Sequence, residues 1–408
     1  MTRFFTTAAI RILSSFSVFA LTFVVTYVLS PESSGLFFLA FTMVTFTSVL
    51  TRGGTDEVIV KFIGVNSKDE SVKEVILYSL LRLVKMLPVS FICIFLFFYF
   101  TNLDINVINF FVLYFCVVFI SFSALIGRCF QGLKKSNKAV VILNLLQPSF
   151  VSIFVTVTFL VNGNVDFEKS LLLLLLSSFL VFIYSIYELF KLYGKVDFFI
   201  KHNDFDSKNR LKFYEISNKL LFVCLLQNLV PWSLIFIVDN TLGTESVSVF
   251  NFIQKLASIS SIAVICLNFI ISPHIAKLSN NNSGELRSFI KKCLTGIIIC
   301  ISLLSVIVIY LFDYVVRFFD PIYISYFNDF LILALGYIFY SVMIFLSMVY
   351  TMTGLEKYLL KIYVFFLPWF LVGALFFTSE FGISGLVSCI LFCYFFQMLI
   401  QSYIFFRK

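Results

Sequence analysis

Five polar residues, Ser248, Asn251, Lys255, Ser258 and Ser261, recur at three- and four-residue spacing in an otherwise apolar stretch, with Gln254 beside them. In a helix that spacing sets them on one face. Residues 246–272 read as a membrane-spanning helix. Lys255 is about nine residues inside it, which at ~1.5 Å per residue is roughly 13 Å deep in a ~30 Å hydrocarbon layer. A lysine at that depth costs about 2.5 kcal/mol or more unless it faces water, protein or an anion. The chemistry such a face offers is anion binding, with hydroxyls and amides free to bond neutral polar groups.

Similar faces occur on two other helices. Thr42, Thr45, Ser48 and Arg52 share a face near 35–52, and Arg11, Ser15, Thr22 and Thr26 lie within 8–30. Together with Lys255, Asn251 and Ser258, the residues Arg52, Arg11 and Thr42 are candidate cleft residues. Arg82 and Lys85 join them, although their place in the first turns of a helix near 76–100 also suits snorkelling to the membrane face. Asp56 closes the second helix where it can pair with Arg52, and Glu188 can face an inner gate or pair with a nearby lysine. These two acids are candidates for gating or ion coupling. The plainer account of the hydroxyls is hydrogen bonding between packed helices. The basic link Arg128, Lys134, Lys135 and Lys138 is read as topogenic charge with anionic-lipid contact.

These faces need helices to carry them, and composition supplies them. The chain has 408 residues, 60% of them hydrophobic and 13% charged, against about 25% charged in a soluble domain. Its apolar runs repeat from end to end, so the fold class is an all-α polytopic membrane protein. Scanning for runs of ~20 apolar residues gives about twelve helices. They fall near 8–30, 35–52, 76–100, 105–127, 139–161, 170–191, 219–239, 246–272, 293–312, 328–352, 358–378 and 383–405. Arg3 lies ahead of the first run and Arg11 near its start; the run lacks a small-x-small cleavage site and is read as a retained helix.

With the N-terminus in the cytoplasm, all but Lys169, Arg317 and Lys255 of the 30 Lys and Arg lie at the inner side. Outer loops then carry Glu32, Asp104, Asp166, Glu168, Asp239, Glu245, Asp313, Asp320 and Glu380. That asymmetry is the positive-inside rule, and it places both termini inside. The net charge of +8 is explained this way, without nucleic acid. The Lys- and Arg-rich stretch at the middle divides the chain into an N-terminal lobe, 1–192, a linker, 193–218, and a C-terminal lobe, 219–408.

An internal repeat supports the division. Leu29-Ser-Pro-Glu-Ser-Ser-Gly-Leu-Phe37 resembles Leu242-Gly-Thr-Glu-Ser-Val-Ser-Val-Phe250. In the same register Thr42, Thr45 and Ser48 align with Lys255, Ser258 and Ser261, and Ser14 and Ser15 with Gln227 and Asn228. Six helices separate the copies, so they run in the same direction. Parallel repeats of this kind build two six-helix lobes around a central cleft. No catalytic constellation occurs. Most of the nine Cys, including Cys93, Cys116, Cys224, Cys266, Cys300, Cys389 and Cys393, sit in apolar runs, and His202 and His274 are too few for a metal site. No metal and no cofactor is expected.

The repeated stretches resemble the polysaccharide-exporter branch of the multidrug, oligosaccharidyl-lipid and polysaccharide exporter superfamily. Val28-Leu-Ser-Pro-Glu-Ser-Ser-Gly-Leu-Phe-Phe-Leu-Ala-Phe41 is similar to the signature after its first helix. Thr51-Arg-Gly-Gly-Thr-Asp56 with Val60-Lys-Phe62 resembles the end of its second helix. Phe269-Ile-Ile-Ser-Pro-His-Ile-Ala-Lys-Leu278 and Gly382-Ile-Ser-Gly-Leu386 are similar to the end of its eighth helix and the start of its twelfth. The signature's usual Arg and second Gly are Tyr27 and Ser30 here, so no role of that arginine carries over.

The resemblance implies flipping of an undecaprenyl-pyrophosphate-linked oligosaccharide, an O-antigen or capsular repeat unit, across the bacterial inner membrane by alternating access. It implies membrane lipids as surroundings, polymerase and chain-length proteins as candidate partners, and a monomer. Two other readings remain open. An ion-coupled multidrug or small-solute exporter predicts an essential acid in the first lobe, and 8–30 contains none. An O-antigen polymerase predicts a large outer loop bearing arginines, and only Arg317 is outside.

Overall fold

The computed structural model describes residues 2–65, 69–100, 106–193, 207–264, 267–268, 271, 275, 278, 283–319, 321–353 and 355–407. The linker stretch 194–206, Asp104, Asp320, both histidines and most of the Phe269–Leu278 motif lie outside the described residues, as do the side chains of Gln227 and Asn228.

The described chain is helical throughout. In order come α1 (Thr2–Val28), α2 (Pro31–Thr51), α3 (Thr55–Val65), α4 (Asp69–Phe100), α5 (Val107–Gly132), α6 (Ser136–Asn162) and α7 (Phe167–Tyr193). Then follow α8 (Ser207–Leu242), α9 (Thr244–Ser258), α10 (Ser283–Val316), α11 (Phe327–Met352) and α12 (Glu356–Arg407). Ten of the described helices are long and apolar enough to cross a membrane. One of them, α12, breaks at Gly382, whose φ of 64° and ψ of −147° are open to glycine. Its arms, 356–381 and 383–407, are each of membrane length, and Leu229–Leu242 of α8 adds a shorter apolar stretch. The protein is a multi-pass membrane protein of about twelve spans.

The fold has two compact units, Met1–Trp232 and Ser233–Lys408. The boundary falls inside α8, one residue beyond Pro231, which interrupts that helix's hydrogen bonding. In the first unit Val58, Ile59, Ile76, Leu125, Phe130 and Leu189 are core, and Phe213 from the start of α8 is fully buried with them. Phe213 meets Phe62 edge-on at 5.7 Å. In the second unit Ile290, Ile297, Phe345, Val349, Tyr350 and Phe405 tie α10, α11 and the second arm of α12 together.

The two copies of the repeat fold alike locally. Each opens a 21-residue span, Pro31–Thr51 and Thr244–Val264, at the same register. In the first, Ser30 caps the helix by accepting from the Ser33 amide, Pro31 occupies the first turn, and Glu32 faces the helix dipole. In the second, Gly243 turns the chain at φ 89° and Glu245 takes the acidic position. The copies then diverge. The first is α-helical to Thr51, whereas the second tightens into a 3-10 turn at Ile259–Ser261. The uninterrupted helix expected over 246–272 is therefore corrected to a helix that changes pitch one turn after Lys255.

Candidate functional site

Lys255 stands near the middle of a membrane-length span of the second unit. It sits 11 residues into the span Thr244–Val264, about 16 Å along a helix roughly 31 Å long. Its side chain is half-buried, and its ammonium makes no ion pair or hydrogen bond among the described residues.

Its neighbours on the face have separate tasks. Asn251 is buried. Ser248 shares a 2.8 Å hydrogen bond with Tyr323 of the turn Pro321–Tyr326, and Phe252 packs on the same tyrosine at 4.9 Å. Ser258 donates to the Lys255 carbonyl at 2.8 Å, and Ser261 to the Ser258 carbonyl at 2.6 Å. The first copy repeats these bonds at the aligned positions: Thr45 to Thr42 at 2.8 Å and Ser48 to Thr45 at 2.9 Å. Thr42 itself is buried.

Two of the candidate cations of the first unit, Arg52 and Arg82, are engaged. Arg52 is buried and its Nε donates to both Asp56 carboxylate oxygens at 2.9 Å, while Nη1 donates to Ser48 at 3.2 Å. Arg82 is buried against Gly53, donates to Asn218 Oδ1 at 2.5 Å and lies 5.6 Å over the Tyr214 ring. It thereby fastens α4 to the start of α8. Lys85 is exposed and Arg11 is half-buried. Glu188 is buried on α7 and pairs with Lys138 of α6. Both acids thus have basic partners.

Sequence reasoning passed over three groups. Asp239, read as an outer-loop acid, is 1% exposed inside the last turn of α8, and neither carboxylate oxygen has a hydrogen-bond partner among the described residues. Tyr337, Tyr340 and Tyr394 cluster between α11 and the second arm of α12, with Tyr340 and Tyr394 4.8 Å apart. Gln397 and Gln401 are buried on that arm. Single polar residues within apolar runs were the available signal.

Residues 4–213 match the family model described as polysaccharide biosynthesis protein. Among curated protein sequences, none matches the chain. Among solved structures, the chain is similar to a multidrug resistance MATE family transporter of the MOP superfamily in an inward-facing conformation. The TM-score is 0.75 at 16% identity, over 98% of this chain and 97% of that one. An outward-facing MATE family transporter of the same superfamily gives 0.67 at 13% identity, over 99% and 94%. MATE in complex with MaL6 gives 0.67 at 14%, over 98% and 96%. At these identities the likeness is one of fold.

Proposed function

Because the chain belongs to the polysaccharide biosynthesis protein family, we propose that it is a flippase for an undecaprenyl-pyrophosphate-linked oligosaccharide, an O-antigen or capsular repeat unit. It carries this lipid from the cytoplasmic to the periplasmic leaflet of a bacterial inner membrane by alternating access, with both termini in the cytoplasm. The transporter fold shared with the MATE structures supports movement of a solute over catalysis.

The observation that carries the reading is the unpartnered, half-buried ammonium of Lys255 in mid-span. Burying a cation in a membrane helix costs free energy that packing alone does not require. A pyrophosphate or an acidic sugar offsets that cost when loaded. In this reading Asn251 adds a polar contact on the Lys255 face of the second unit, and Thr42, Arg11, Arg52, Arg82 and Lys85 are candidate substrate contacts within the first unit. Arg52 attracts an anion only weakly, because Asp56 balances its charge. Asp56 and Glu188 act on gating through their pairs with Arg52 and Lys138.

The test is export of surface polysaccharide in a strain lacking the native gene, with protein abundance measured in parallel. Lys255→Ala should abolish export at normal abundance. Lys255→Arg should retain part of it, since charge persists while ammonium geometry is lost. Lys255→Glu should be worse than Ala, and a Lys255→Glu variant that exports as well as wild type would overturn the assignment.

A further inference from the structure

Gln401 is fully buried on the second arm of α12, and neither atom of its amide has a hydrogen-bond partner among the described residues. One turn earlier, Gln397 is 4% exposed and its amide nitrogen is likewise without a partner. Tyr394 stands a further turn back. Residues three and four apart share a helix face, so the three side chains form a seam about 10 Å long.

The seam continues onto neighbouring helices. The Tyr394 ring lies 4.8 Å from Tyr340 and 6.4 Å from Tyr337, both on α11. α11 in turn packs against α9, the helix that carries Gln254 and Lys255. At its other end the Tyr350 hydroxyl donates to the Gln401 backbone carbonyl at 2.7 Å. That leaves the Gln401 side chain as the member with nothing to bond.

An amide taken out of water without a partner is costly, and buried polar groups almost always find protein or ordered water. Three such atoms on one face are therefore a demand for a ligand. The glutamines are too deeply buried to meet a sugar or a lipid headgroup. Water fits, because it is small and satisfies several donors and acceptors at once.

We propose that the second unit holds a file of ordered water between α11 and the second arm of α12, bound by Gln401, Gln397, Tyr394 and Tyr337 and leading toward α9. The water completes the two amides, and without it the seam would favour leucine. A consequence that rests on the Lys255 reading is that the file brings solvent to the helix carrying that lysine. The ammonium then stays hydrated in the interval when no anion is bound.

The file is tested without any transport assay. Purified full-length protein in lipid nanodiscs is irradiated so that bound water generates hydroxyl radicals in place, and tyrosine oxidation is read by mass spectrometry. Tyr394 and Tyr337 should oxidise several-fold faster than Tyr78, which is as well buried in the core of the other unit. Gln397→Leu with Gln401→Leu should remove that excess. Oxidation of wild-type Tyr394 and Tyr337 at the Tyr78 rate overturns the proposal, whether or not the double variant folds. So does a folded double variant that keeps the wild-type excess. If the file is present and Lys255→Ala still exports, the Lys255 reading fails while the water site stands.

Discussion

The hydroxyl of Ser258 donates to the backbone carbonyl of Lys255 across 2.8 Å. Its counterpart in the first repeat, Thr45, makes the same bond to Thr42 at 2.8 Å. Back-bonding of this kind spends the donor within the helix and loosens the regular ladder beside it. Three serines, Ser258, Ser260 and Ser261, do so in succession where α9 tightens into its 3-10 turn. The hydroxyl stripe that looked available for a ligand is therefore largely occupied with the carbonyls of its own helix.

Ser258→Ala and Thr45→Ala should accordingly leave export within about twofold of wild type, since a local hydrogen bond contributes only ~1 kcal/mol net. The same complementation assay used for Lys255 measures this. A loss as complete as that expected of Lys255→Ala would mean that the Ser258 hydroxyl touches the substrate.

Among the described glycines of the first unit, Gly54 has the closest backbone approach. Its φ is +74°, and a Cβ built there would stand 2.2 Å from the Ser217 carbonyl oxygen. Gly54→Ala should destabilise the protein by about 3 kcal/mol, from left-handed strain and overpacking together. Gly163 has a similar φ of +73° with nothing near its missing Cβ, so Gly163→Ala should cost only about 1 kcal/mol. Thermal unfolding in detergent of both variants separates the two terms. Equal losses would show that α8 does not press on Gly54.

The Arg52–Asp56 pair bridges the turn between the end of α2 and the start of α3. Removing one member strands a charge in a buried setting, whereas removing both does not. The Arg52→Ala/Asp56→Ala double variant should therefore lose less stability than the sum of the two single variants, with a coupling of roughly 1–3 kcal/mol. A double-mutant cycle on thermal midpoints measures it. Strict additivity would mean that the pair is not formed in the membrane.

Several features were legible because they depend on local chemistry. The Ser30, Pro31 and Glu32 start of α2 is a capping pattern, and its echo at Gly243–Glu245 fixed the register of the second copy. The break in α12 fell where Gly382 interrupts an apolar run. Tertiary choices were not legible. Glu188 follows Lys138 rather than Lys191, which is nearer in sequence, because α6 and α7 pack side by side. The start of α8 looked like a solvated link because Lys208, Arg210 and Lys212 dominate its composition. Phe213, the residue that anchors it, is a single aromatic whose burial needs α3 and α5 as partners. Asp239 was misplaced because an acid near a helix end reads as a loop charge unless its neighbours are known.

Asp239 is the group whose energetics differ most from its sequence-based role. It is 1% exposed, both carboxylate oxygens lack hydrogen-bond partners among the described residues, and the Gly243 amide bonds its backbone carbonyl in the closing turn of α8. That end of a helix carries partial negative charge, which opposes a carboxylate. A buried, unpaired charge is among the costlier states a side chain can occupy. Asp239→Asn keeps the shape and removes the charge, so it should stabilise the unit by about 1 kcal/mol, seen as a rise of roughly 2–4 °C in thermal midpoint at neutral pH. Asp239→Leu should do at least as well if its volume is accepted, because it leaves no polar atom to satisfy. Thermal unfolding of the full-length protein in detergent, with the wild type alongside, measures both. A midpoint several degrees lower for Asp239→Asn would mean that the carboxylate holds a cation or a donor in the folded protein, and the charge would then be an asset rather than a burden.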